Sequence, residues 1–238
     1  MNSSERVRRV LTDDGSATLY SEAYAQPFAS ARGALSEACG VFLEGSGVGA
    51  ELRAGASVRV LEVGFGTGLN FFVTAGACLA QPGARLHYSA LERTLLRAEM
   101  VAALGYAPAE VVAPYLEWRS GLGEPPAPGR HLFETEVVRL ELLLGDAPTQ
   151  VLPTGVFGAI YHDAFSPAVN PELWTEDFLG ALVAALAPGG VLVSYCVQGA
   201  VRRRLQALGL LVHKRPGPPG GKREVLAAHK PSKSPLRL

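Results

Sequence analysis

Three glycines alternate in the stretch "LEVGFGTGLNFF": Gly64, Gly66 and Gly68. An acid, Glu62, stands two residues before the first, and Asn70 stands two residues after the last. Glycine permits positive φ and lets a ligand approach the backbone closely. A helix that starts just after such a loop offers free N–H groups. The spacing is not the dinucleotide fingerprint, which needs a third glycine where Leu69 stands, and no Gly-Lys-Ser/Thr of a phosphate loop follows. Glu62 suits a ligand carrying a cationic amino group better than a pyrophosphate. Two further acids, Glu92 and Asp146, close later apolar runs. A carboxylate at Glu92 can accept hydrogen bonds from both hydroxyls of a ribose, and Asp146 can receive an adenine amino group. A methionyl part, a ribose and a base make up S-adenosylmethionine. Phe65 and Thr67 within the loop, with Asn70 after it, complete the expected cofactor-binding set. The other reading of these glycines is a tight strand-to-helix turn without a ligand. Glu92 or Asp146 taken alone reads as a solvated strand end.

Those acids serve one site only if strands bring them together. Periodicity predicts strands over 57–64, 85–92, 137–146, 156–163 and 191–196. It predicts helices over 69–79, 94–104, 175–186 and 201–208, the third stopped by "APGG". Runs 210–215 and 223–229 read as a closing hairpin around "PGPPGG". Alternating strands and helices imply an α/β fold with a mostly parallel, seven-stranded sheet and helices on both faces. Taken with the S-adenosylmethionine reading of the glycine loop, the expected fold class is Rossmann-like, of the class I S-adenosylmethionine-dependent methyltransferase type. Ligands in such folds lie beyond the carboxyl ends of the strands, where the winding reverses. The expected organisation is an N-terminal extension over 1–56 holding a small hairpin and a helix, a methyltransferase domain over 57–229, and a disordered tail over 230–238. Residues 119–131 are a Pro/Gly-rich excursion.

Composition narrows the classes. The 238 residues are 48% hydrophobic, enough for a full core. The N-terminus lacks an apolar signal core, and "APGG" cuts the longest apolar run, so no membrane span is expected. Cys39, Cys78 and Cys196 are odd in number and far apart, and the five histidines show no ligand spacing. Neither a disulfide framework nor a metal site is expected, and the cytoplasm is the simplest compartment. Formal net charge is zero, but residues 198–238 carry ten Lys/Arg and one acid. A basic end of this kind suits a polyanion, or is a solvated surface.

The strings "LEVGFGTGLNFF", "DAFSPAVNPELWT" and "VRRRLQALGLLVHKRPGPPGGKREVL" resemble one family. It is the methyltransferase half of the bifunctional tRNA 5-methylaminomethyl-2-thiouridine biosynthesis enzymes, with its stand-alone relatives. "YSEAY", "GALSEACGVFLEG" and "LLLGDA" match as well, so the resemblance covers most of 18–229. Ala164 stands where the family often has glycine, and "PGPPGG" replaces a more aromatic, basic turn. The resemblance implies methyl transfer from S-adenosylmethionine to the aminomethyl group on carbon 5 of the tRNA wobble uridine. No second glycine fingerprint is seen before Leu238. The flavin oxidoreductase half is therefore expected to be absent, with an upstream enzyme supplying the aminomethyl nucleoside.

The resemblance also assigns roles. Asp163, ending the fourth strand, becomes the catalytic carboxylate, facing both donor and amine. An alkylamine is mostly protonated near neutral pH, with a pKa of about 10.4. A carboxylate can orient it and help take its proton. Phe165 and Trp174 offer flat faces for a base drawn out of the anticodon loop; Pro167 and Pro171 stiffen the segment, and Asn170 can bond nearby backbone. The alternative for Trp174 is core packing. Arg202, Arg203 and Arg204, with Lys214, Arg215, Lys222 and Arg223, are the expected tRNA phosphate contacts. Glu37 and Tyr20 are candidates to close the pocket, and Tyr195 and Gln198 to touch substrate or cap a helix. Two other functions fit the same residues: methylation of a small-molecule amine, and a non-catalytic nucleotide-binding domain.

Overall fold

The structure is a computed structural model, and it describes residues 7–232. The N-terminal segment holds a three-stranded antiparallel sheet, β1 (Val7–Leu11), β2 (Ala17–Ser21) and β3 (Gln26–Pro27). Helix α1 (Ala34–Glu37), a π-helical turn (Ala38–Leu43) and α2 (Val48–Arg53) follow. This is more structure than one hairpin and one helix.

The main sheet uses β4 (Ser57–Val63), β5 (Arg85–Glu92), β6 (Gly129–Glu134), β7 (Val138–Leu144), β8 (Phe157–His162), β9 (Leu186–Ser194), β10 (Leu211–Pro216) and β11 (Glu224–His229). Their order is β10-β11-β9-β8-β4-β5-β7-β6. The five central strands run parallel; β6 and β11 run against them, and β10, paired antiparallel to β11, runs with them. The sheet is mostly parallel as expected, but it has eight strands and not seven. The addition is β6, whose burial shows why periodicity misses it: only Phe133 of its six residues is buried. An edge strand lying over solvent carries no apolar alternation.

Side chains alternate across β4. Val58 and Val60 pack with Phe42, Leu52, Phe71, Phe72 and Tyr115, from α2, α3 (Leu69–Leu79), α5 (Ala109–Ser120) and the π-helical turn. Leu61 and Val63 pack on the other face with Phe178, Leu182, Val201 and Leu205, from α6 (Glu176–Ala185) and α7 (Gly199–Ala207). Both faces are thus covered, which is why the central strands read as near-continuous apolar runs.

Three local departures have physical causes. The helix expected from Thr94 shrinks to α4 (Ala98–Ala102). The fully buried Arg119 takes the Leu96 carbonyl at 2.9 Å and the Leu95 carbonyl at 3.4 Å, which a continuous helix would need. The same arginine anchors the end of α5, so the excursion expected over 119–131 narrows to 121–128. "APGG" does follow α6, but β9 begins directly at Leu186 and runs through it, with an irregularity opposite Phe157 and Ala159. Of the expected tail, residues 233–238 lie outside the described residues. Lys230 is anchored, its Nζ donating to the Val183 and Leu186 carbonyls, both at 2.7 Å.

Candidate active site

The winding reverses between β4 and β8, which lie side by side. The glycine loop leaves β4 and Asp163 leaves β8, so the topology alone brings them together. Gly64, Gly66 and Gly68 all adopt positive φ, at 87°, 53° and 80°. At Gly64 a Cβ would sit 2.9 Å from the Asp163 carbonyl oxygen. Glycine is therefore required there both for the turn and for the approach of the two strand ends.

A cavity of about 750 Å³ opens over this point, within the usual range for small-molecule sites. Its floor is polar. The Asn70 amide Nδ2 donates to Asp163 Oδ2 and to Glu62 Oε1, both at 2.8 Å. Tyr88 OH donates to the second oxygen of Glu62 at 2.9 Å. Burial pushes the Glu62 carboxyl up to about 8 despite these donors. Asp163 lies in the cavity wall, also raised well above the carboxylate range, by burial first and then by the Glu37 and Glu62 carboxylates.

Glu92 reaches back under the loop. One oxygen accepts from Gly66 N–H at 2.8 Å; the other accepts from Arg93 N–H at 2.7 Å and Thr94 N–H at 3.3 Å. It holds the glycine loop and lines the cavity. Asp146 lines the same end, paired with Arg93 Nη2 at 3.1 Å. Phe65 and Thr67 line it too, with Thr67 Oγ1 accepting from Tyr106 OH at 3.0 Å.

Several expected roles change. Glu62 is 1% exposed and does not line the cavity, so it cannot touch a ligand's amino group; it stands behind Asn70. Trp174 is also 1% exposed, packed 4.1 Å from the His162 ring, with Nε1 donating to the Phe165 carbonyl at 2.9 Å. It is a core residue that holds the 163–174 loop, and offers no face to a base. Pro167 lies beside the cavity without lining it, whereas Asn170 and Phe165 line it. Arg204 donates to the Trp174 carbonyl at 2.6 Å, and neither it nor Arg202 nor Arg203 reaches the cavity. Lys214 pairs with Glu224, and Arg215 takes the Gly45 carbonyl. Of the basic set, Lys222 and Arg223 line the cavity. Tyr20 lies under the Arg8 guanidinium, away from it, and the Gln198 side chain does not cap α7.

The N-terminal segment supplies much of the roof. Tyr24 stacks on Phe165 at 4.5 Å, Phe28 meets the same ring edge-on at 5.3 Å, and the Gln26 amide donates to Ser166 Oγ at 2.7 Å. Sequence reading reached Glu37 here but missed Tyr24, Gln26 and Phe28. Their signal was the aromatic spacing in "YAQPF", too short to show a period.

Residues 118–231 match a family described as S-adenosyl-L-methionine-dependent methyltransferase. Across the whole chain, the structure of MNMC2 from Aquifex aeolicus superposes with a TM-score of 0.80 at 30% identity, covering 99% of this chain and 73% of that one. The chain belongs to this family of methyltransferases. The bifunctional tRNA 5-methylaminomethyl-2-thiouridine biosynthesis protein MnmC of Cupriavidus metallidurans is 36% identical over 231 residues, covering 94% of this chain and 34% of that protein. The chain thus spans about a third of the length of the curated relatives it matches. Spermidine synthase from Thermotoga maritima, at 16% identity and a TM-score of 0.55 over 98% of this chain and 72% of that one, shares the fold. As in other methyltransferases of the family, the cofactor is S-adenosylmethionine. The residues present fit it: Gly64 and Gly66 bring the loop backbone to the cavity, with carboxylates of Glu92 and Asp146 along one wall, whereas Gly68, expected in the cofactor-binding set, lies outside the lining, close against the Phe65 and Phe72 rings. Among the described residues no helix is long and apolar enough to cross a membrane, and no group of three or more His, Cys, Asp or Glu could hold a metal ion.

Proposed function

We propose that this methyltransferase methylates the aminomethyl nitrogen on carbon 5 of the tRNA wobble uridine or 2-thiouridine, giving the 5-methylaminomethyl form. The observation that carries the reading is the clamp at the cavity floor: Asn70 holds Asp163 at the strand end facing the glycine loop. The tRNA-modifying activity for which the MnmC relatives are named, and the aromatic roof of the same cavity, support it.

Bound S-adenosylmethionine supplies a methyl group on a positively charged sulfur, and its transfer leaves a neutral thioether. Glu92 and the loop backbone at Gly64 and Gly66 would hold the ribose and methionyl parts, and Asp146 would hold the adenine amino group. Asp163 accepts one N–H of the incoming ammonium and takes its proton, leaving a lone pair on nitrogen. With the donor bound, the amine nitrogen would take the methyl group as the carbon–sulfur bond breaks, and the secondary amine would keep the positive charge. The proton on Asp163 then passes to solvent. Phe165, backed by Tyr24 and Phe28, presents an aromatic face to the uridine, and Arg223 at the mouth meets a phosphate. Alignment of nitrogen, carbon and sulfur supplies most of the acceleration. A tRNA substrate places the enzyme in the cytoplasm and requires an upstream enzyme that installs the aminomethyl group.

Nucleoside mass spectrometry of aminomethyl-bearing tRNA incubated with the protein and cofactor tests this. A methylated wobble nucleoside is the expected product. Cofactor binding without that product, or efficient turnover of a free amine insensitive to salt, would overturn the tRNA assignment.

A further inference from the structure

Lys222 belongs to the basic C-terminal block that reads in sequence as a phosphate-binding surface, yet its surroundings differ from those of its neighbours. It sits in the turn between β10 and β11, closed by Gly217 N–H on the Arg223 carbonyl at 3.0 Å and Gly221 N–H on the Pro218 carbonyl at 3.0 Å. The turn directs it inward. Its Nζ lies 3.6 Å from the centre of the Tyr195 ring, and that ring is fixed because Tyr195 OH donates to the Ala164 carbonyl at 2.8 Å. Ala164 is the residue next to Asp163. Across the cavity, Glu37 is 6% exposed and anchored by Ser30 N–H at 2.9 Å. Lys222, Glu37 and Asp163 all line the same cavity.

We propose that Lys222 is a positioning residue which, with Glu37, sets the charge on Asp163 from inside the cavity, and that it is not a contact to RNA phosphate. The inference rests on the amine methyl transfer proposed above. Asp163 is faced by Glu37 from α1, Glu62 from β4, Asn70 from α3, Tyr88 from β5, Tyr195 after β9, and Lys222 with Cys196 beside it. Lys222 is the cation among these groups. Burial and the two carboxylates disfavour a negative Asp163; the lysine ammonium and the Asn70 amide favour it. The influence is mutual: burial lowers Lys222 while Glu37 and Asp163 raise it, and burial raises Glu37 while Lys222 lowers it. A carboxylate that must take a proton from an arriving ammonium has to be ionised beforehand, and Lys222 provides the opposite charge. An ammonium packed on an aromatic ring inside the cavity gains from that ring, whereas the adjacent Arg223 is exposed and free to meet a phosphate.

The test is a pH titration of the full chain by carbon-13 NMR, with Asp and Glu carboxyls labelled and Asp163→Asn used to assign the signal. In Lys222→Met the Asp163 midpoint should rise by about one pH unit or more, the reverse of what a nearby cation does. Lys222→Arg should stay near wild type, and Glu37→Gln should move the midpoint down. The acid limb of kcat should follow these shifts, while the salt dependence of tRNA binding stays unchanged in Lys222→Met. An unmoved Asp163 midpoint in both Lys222→Met and Glu37→Gln would overturn the inference. So would a reduced salt slope with no shift, which would return Lys222 to the phosphate surface. The NMR result decides the matter even if wild-type protein fails to methylate the tRNA, an outcome that would count against the proposed function alone.

Discussion

The floor and the roof of the cavity are held together by different forces. At the floor, Glu62, Asn70, Asp163 and Glu92 grip one another or the loop backbone, and each comes from the carboxyl end of a parallel strand or the helix after it. At the roof, Tyr24, Phe28 and Phe165 are joined by ring contacts, with one side-chain amide, that of Gln26, fastening the N-terminal segment to Ser166. Hydrogen bonds at short range fix position; aromatic stacking fixes a surface while tolerating small shifts. Such a division lets donor chemistry be set by the sheet while the acceptor is chosen by segments added to it.

Removing the charge at the floor should have the largest effect. Asp163→Asn keeps the shape and loses the proton acceptor, so kcat should fall by about 10²- to 10⁴-fold. Cofactor affinity, measured by calorimetry, should stay near wild type. Comparable turnover in the variant would move the chemistry elsewhere. Glu92→Ala removes the carboxylate that holds Gly66 N–H. A charge-assisted hydrogen bond contributes about 1.5–3 kcal/mol, so cofactor affinity should weaken by about tenfold to a hundredfold, with kcat largely restored at saturating cofactor. A kcat defect that persists at saturation would make Glu92 part of the alignment and blur the division.

At the roof, Tyr24→Ala strips the ring stacked on Phe165. An aromatic pair adds about 0.5–1.5 kcal/mol beyond its buried area, so the KM for tRNA should rise several-fold while cofactor affinity holds. A matching loss of cofactor affinity would show that the two regions are coupled. Glu62 sharpens the floor in another way, through stability. Its carboxyl rises from 4.5 to about 8 in the fold. The folded chain therefore holds a proton that the unfolded chain releases, and stability falls as pH climbs through that interval. Below it the contribution is complete; above it the contribution is lost. Glu62→Gln, whose amide can still accept from Asn70 and donate to Tyr88, should show a shallower fall in denaturation midpoint between pH 5 and pH 8.

The floor was largely legible in the sequence and the roof was not. Strand-end acids and alternating glycines are local signals, and parallel-sheet topology converts them into one site. Asn70 was legible only as a cofactor ligand; that it spans two carboxylates depends on β8 lying beside β4, which no local pattern states. Trp174 looked like a stacking platform because its type fits that use equally well, and only its packing on His162 decides for the core. The roof contacts join residues 24–28 to 165–166, and pairings at that separation leave no periodic trace. Edge strand β6 was silent for a related reason: a strand facing solvent has no apolar rhythm.

The smallest expected effect separates two basic patches that look alike in sequence. Arg203 on α7 is exposed but lies away from the cavity, beside Arg204, whose guanidinium is spent on the Trp174 carbonyl. Arg223 is exposed and lines the mouth. Each phosphate neutralised adds roughly one counterion to the slope of binding against salt. Arg223→Gln should therefore lower the slope for tRNA binding by about one, with affinity falling uniformly across tRNA sequences. Arg203→Gln should leave the slope unchanged. The opposite ranking, measured by filter binding over a salt series, would put the RNA across α7 and away from the aromatic roof. Phe165 would then need another partner, because a nucleotide entering from α7 would approach from the far side of the loop that Trp174 holds.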